Sequence, residues 1–175
     1  MKANSEMTLA QGPRYWRDQW CAKDAVIASL EFTNVAADKD FPSVVVPSDF
    51  LPSGATVVAV NLILKWRKMM EDSGAENYIN AASKTIRTKV STGAWGTDDI
   101  VAMTFTNGMW KVAASSTEGG DVLISTTDIK TVVTGVAATY NFRSEQTNGT
   151  DALVMLGDGM TLYDVETGIR VIYTL

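Results

Sequence analysis

The sequence predicts an all-β protein. Three observations carry that expectation: apolar residues recur with period two through most of the chain, turn-forming pairs separate the alternating runs, and only two short stretches suit a helix. Each run has one apolar face to bury, so the expected architecture is a single antiparallel β-sandwich of jelly-roll or Greek-key type with about eight strands.

In chain order, a polar opening stretch leads to Gly12-Pro13 and then to Arg14–Ala22. There Pro13 suits the first position of one or two helical turns, and Trp16 and Trp20 share a face. Residues 1–22 thus read as an N-terminal arm carrying a short helix, and residues 23–175 as the sandwich domain. The first strand is Val26–Thr33, with Val26, Ala28, Leu30 and Phe32 inward. Pro42 and Pro47 bracket Val44–Val46 and confine it to a sheet edge, because proline cannot donate to a ladder. In Thr56–Lys68 the even positions Val58, Val60, Leu62, Leu64 and Trp66 form an apolar line, which makes Trp66 a core residue. Ala75–Ser83 is a second, weaker helix candidate. Lys84–Val90 follows with Ile86 and Val90 inward, then Ile100–Thr106 with Val101, Met103 and Phe105 inward. Across Asp121–Thr134 the apolar phase slips, which predicts a bulge or break near Thr126–Asp128. Val136–Arg143 turns Val136, Ala138, Tyr140 and Phe142 inward, and the final strand aligns Val165, Thr167, Ile169, Val171, Tyr173 and Leu175.

Composition narrows the chemistry. The 175 residues include no histidine and one cysteine, Cys21. A Ser-His-Asp or Cys-His nucleophile, an imidazole base and a His-ligated metal are excluded, as are an intrachain disulfide and a Cys₄ metal knot. The longest strongly apolar stretch, Val57–Leu64, is too short for a membrane span and contains Asn61, and no targeting segment is expected. Charge is uneven: residues 1–60 hold five cations against seven anions, residues 61–90 six against three, and residues 91–175 four against ten. An acidic chain repels phosphate backbones, so nucleic-acid binding is not expected. Lys65, Arg67, Lys68, Lys84, Arg87 and Lys89, the only basic concentration, read as outward strand positions.

No phosphate-binding glycine motif and no nucleophile elbow occurs. Carboxylates at Asp98/Asp99, Glu118/Asp121 and Asp158/Asp164/Glu166 fall in or beside predicted turns, where solvated acids are ordinary, and no calcium-loop spacing is present. The expectation is a protein without enzymatic activity, cofactor or metal. Two aromatic groupings suit binding instead. Arg14, Tyr15, Trp16, Arg17 and Trp20 have the composition of an interface hot spot, an apolar anchor edged by guanidinium groups, and the anchor suits either a neighbour or the chain's own sandwich. Trp95 and Trp110 lie near loops, where an aromatic face stacks on a sugar ring or folds back over the core.

Leu51-Pro52-Ser53-Gly54-Ala55-Thr56-Val57-Val58 resembles the turn that leads into a strand in jelly-roll modules of bacterial surface proteins and bacteriophage virion proteins. The closing segment from Leu162 to Tyr173 resembles the final strand of such phage proteins. The resemblance covers about a ninth of the chain and no catalytic residue. It implies a structural protein of a phage particle, a capsid decoration, minor capsid or fibre-base component located in the virion, whose partners are copies of itself and other virion proteins. The alternative from the same residues is a carbohydrate- or receptor-binding sandwich that takes a glycan at Trp95 or Trp110.

Overall fold

The alternating runs form strands wherever a neighbouring strand can satisfy their backbone groups. The computed structural model describes residues 13–32, 38–71, 77–80, 84–90, 93–95, 100–105, 111–112, 117–134, 137–144, 154–155 and 160–175. Among them the strands are β1 (Tyr15–Trp20), β2 (Ile27–Phe32), β3 (Lys39–Val46), β4 (Thr56–Glu71), β5 (Asn77–Asn80), β6 (Lys84–Val90), β7 (Ile100–Phe105), β8 (Lys111–Val112), β9 (Thr117–Ile124), β10 (Ala138–Ser144), β11 (Val154–Met155) and β12 (Met160–Thr174). One antiparallel sheet has the order β1-β12-β4-β9, with β2 also on β12, and a second has the order β3-β10-β6-β7. The short β11, β5 and β8 form a third. The protein is all-β, and each of the eight predicted runs holds a strand.

The two helix expectations are corrected. Tyr15–Trp20 is a strand that pairs residue by residue with Tyr173–Gly168. Tyr and Trp favour strands, an isolated helix of two turns is marginal, and β12 offers an edge that takes up the backbone of all six residues. Asn77–Asn80, inside the second candidate helix, is β5 and pairs with β8 and β11.

β12 is the axis of the larger sheet. It pairs with β4 from Met160↔Glu71 to Thr174↔Thr56, while β1 and β2 lie end to end along its other edge. Between them the chain leaves the ladder through a 3₁₀ turn at Lys23–Ala25. The β12–β4 ladder is interrupted between Tyr163↔Lys68 and Glu166↔Lys65, where Asp164 takes a left-handed φ of 50°. Asp tolerates that region better than most side chains. Beside this interruption β2 changes its inward phase: Ile27 and Leu30 pack in the core, while Ala28, expected inward, is exposed.

The inward faces of both main sheets supply one core. Val60, Leu62, Leu64, Trp66, Val165, Ile169 and Val171 come from the larger sheet, and Val44, Val46, Ala102, Tyr140 and Phe142 from the smaller. Phe50, Ile129 and Val133 close it from the connections. Full burial of each aliphatic side chain contributes about 1.5–3 kcal/mol. Two bulges shift the expected phase. One between Ile172 and Tyr173 in the β12–β4 ladder brings Val57 against the core, and one between Ile86 and Arg87 in the β6–β7 ladder selects Ile100 and Ala102 in place of Val101. β3 is an edge strand, as its prolines require, and its ladder with β10 slips by one residue at Pro42-Ser43. The expected break after β9 is present at Ser125–Asp128.

Candidate functional site

Two surfaces gather residues suited to binding, and they lie on different sheets. The first is the outer face of the larger sheet at β1. Because Val165, Thr167, Ile169 and Val171 face the core, the even positions of β12 face outward, and cross-strand register sets rows of side chains there. Trp16, Ile172 and Ala59 form one row, Asp18, Arg170 and Asn61 the next, and Trp20, Gly168, Ile63 and Ile124 the third.

Each row has its own chemistry. Trp16 is 66% exposed, and Tyr15 beside it is 40% exposed with its ring centroid 5.7 Å from that of Tyr173. Asp18 accepts two bonds of 2.8 Å from Arg170, one from Nε and one from Nη2, so the pair is bidentate, and Arg170 also lies 6.0 Å from the Trp16 ring centroid. The Asp18 bonds hold Arg170 charged further above its ordinary range. Trp20 lies across Gly168: a Cβ built there would meet Trp20 Cε3 at 2.8 Å. Glycine thus lets an indole lie flat on the sheet. In the same row Ile63 is fully buried although it belongs to the outer face, and Ile124 is 40% exposed. Arg14, Tyr15, Trp16, Arg170 and Ile172 line a cleft of about 350 Å³ at the open end of this face.

Three of the five residues named as an interface divide between the two sides of β1, and the other two lie at its open end. Trp16 and Trp20 share the outer side, since residues four apart fall together at period two as well as on a helix. Arg17 points the other way, donates from Nη1 to the Phe50 carbonyl and lies over the Phe50 ring. It anchors the strand to the β3–β4 connection and is not an outward contact. Arg14 and Tyr15 stay at the open end. β1 pairs only with β12 among the described residues, so its second backbone edge is unpaired there.

The second surface is the outer face of the smaller sheet, where Trp95 folds back over the strands. Lys89 Nζ and Arg143 Cζ lie 4.6 Å and 4.9 Å from its ring centroid. With Asp40, Ser43 and Asn141 they line a cleft of about 280 Å³. Arg143 donates from Nε and Nη2 to the two Asp40 oxygens at 2.5 Å and 3.0 Å and pairs with Asp38 at 3.4 Å. The Asp40 bonds push the guanidinium pKa up. Sequence reasoning found only Trp95 here. The other lining residues are outward strand positions on β3, β6 and β10, joined by pairing across distant parts of the chain, and alternation alone carries no signal for that. Trp110 lies outside the described residues.

The six basic residues between 65 and 89 are split, with 65, 67 and 68 on β4 and 84, 87 and 89 on β6. Of the acidic groupings, Asp98, Asp99 and Asp158 lie outside the described residues, and Glu166 is held by Lys65 at 2.9 Å. Among the described residues no three Cys, Asp or Glu side chains cluster as a metal site would need. Compared with known proteins, the chain matches no family model and no curated protein.

Proposed function

We propose that the chain is a non-enzymatic structural protein of a virus particle, a decoration or minor capsid component, whose body is a single sandwich of jelly-roll or Greek-key type. Its partners are copies of itself and neighbouring virion proteins. The sandwich reading is supported by the shared core and by connectivity: the chain passes between the main sheets from β2 to β3, from β3 to β4 and from β9 to β10, and among the described strands β6–β7 is the one consecutive pair adjacent within a main sheet.

The observation that carries the assembly reading is Trp16. An indole two-thirds exposed, on an edge strand beside Tyr15, Ile172 and two arginines, is an aromatic anchor of the kind that dominates interface energetics. Charge favours a second copy as occupant. Arg14 and Arg170 outnumber Asp18 at this end, whereas the chain as a whole carries a net charge of −5, so the basic end of one copy is drawn to the body of the next. Such a head-to-tail contact closes into a ring or continues as an open filament.

The direct test replaces Trp16 with a photoreactive phenylalanine analogue. Irradiation is expected to link one copy to another through this position, whereas only unlinked chains would refute the assembly reading. Immunolabelling of purified particles from the source cells tests the virion assignment, and particles free of the chain would refute that part.

A further inference from the structure

We propose that the cleft under Trp95 binds a hexuronic-acid residue of an acidic polysaccharide. The site differs from an open stacking platform, because the Trp95 ring carries Lys89 at 4.6 Å and Arg143 at 4.9 Å. The indole holds two cations in place and walls the cleft.

Those cations differ in what they have left to give. Arg143 spends three of its five N–H groups on Asp40 and Asp38, whose carboxylates balance its charge, whereas Lys89 makes no ion pair with any carboxylate of the described residues. Ser43 Oγ donates to Asn141 Oδ1 at 2.6 Å, which commits the amide oxygen and leaves the Asn141 Nδ2 hydrogens for a ligand. One ammonium with no carboxylate partner among the described residues, beside one amide donor on the paired strand, suits a group of charge −1 that accepts several bonds, which is a carboxylate. The wall across from them suits hydroxyl groups. Each Asp40 oxygen takes one bond from Arg143 and keeps a lone pair that accepts from an O–H, and the Asp40 charge disfavours a dianionic phosphate. Carboxylate acceptor and hydroxyl donors on one small ring are the chemistry of a uronic acid. The cleft, about 280 Å³, lies at the low end of small-molecule sites and admits a single ring.

The proposal is independent of the assembly reading, because this cleft lies on the other main sheet. The test titrates the full chain with glucuronate, glucose and acetate and follows the indole and backbone NMR signals. Saturable shifts centred on residues 89, 95 and 141 are expected with glucuronate. Glucose lacks the carboxylate and acetate the hydroxyls, so each is expected to bind about tenfold more weakly or worse. Lys89→Gln and Asn141→Asp are each expected to weaken glucuronate about tenfold or more while leaving the melting temperature near that of the wild type. Two variants on different strands keep the test decisive if one fails to fold. No saturable shift with glucuronate, acetate binding as tightly as glucuronate, or unchanged glucuronate affinity in a folded variant would each overturn the proposal.

Discussion

At the scale of single residues, the contact between Gly168 and Trp20 makes the sharpest prediction. A methyl group at Gly168 would meet Trp20 Cε3 at 2.8 Å and the Gln19 carbonyl oxygen at 2.9 Å. The indole can move, but the carbonyl belongs to a paired strand and cannot move cheaply. Gly168→Ala is expected to cost about 1–3 kcal/mol in urea denaturation. In a double-mutant cycle Trp20→Ala should recover only the share due to the indole. The sequence shows why Trp66 is buried, since it continues an apolar line along β4. It does not show why Gly168 is glycine, because the reason is a side chain nearly 150 residues away in the chain, placed opposite it by strand pairing.

At the scale of elements, Asp128 completes the edge of β4 where β9 has ended. Its Oδ1 accepts from the Val60 N–H at 2.9 Å and from the Lys130 N–H at 3.0 Å, and Val60 is fully buried. Asp128→Ala would leave a buried N–H without its partner, and a loss of about 1–3 kcal/mol is expected, with Asp128→Asn losing less. Thermal denaturation of the two variants checks the order. The break that brings Asp128 here was legible as a slip in apolar phase. The identity of β1 was not, because Tyr15–Trp20 has no strong alternation and its strand form depends on the edge that β12 presents. The inward residues of β2 and β7 also departed from strict alternation, since bulges and the left-handed Asp164 reset the phase by amounts that period two cannot anticipate.

At the scale of the whole molecule, the lack of histidine predicts a flat response to pH near neutrality. Arg143 and Arg170 are held charged by Asp40 and Asp18, and burial pushes the Cys21 thiol up. A thiol whose folded pKa lies above its unfolded value contributes stability that is complete below the unfolded value and is lost as pH rises beyond it. Melting temperature and self-association should therefore be level from about pH 6 to 8, and stability should fall above about pH 9, less steeply in Cys21→Ala. The fold class and most of the core were readable from the chain because alternation is local. Of the two surfaces, the first was readable in its own segment, Arg14–Trp20, and the second only as Trp95, because the companions of both come from strands far apart in sequence. Assembly through the β1 end is the central claim, and sedimentation equilibrium of the wild type beside Trp16→Glu tests it most directly. The wild type should associate with rising concentration and the variant stay monomeric at an unchanged melting temperature. A wild type that stays monomeric throughout, or a variant that associates equally well, would contradict it.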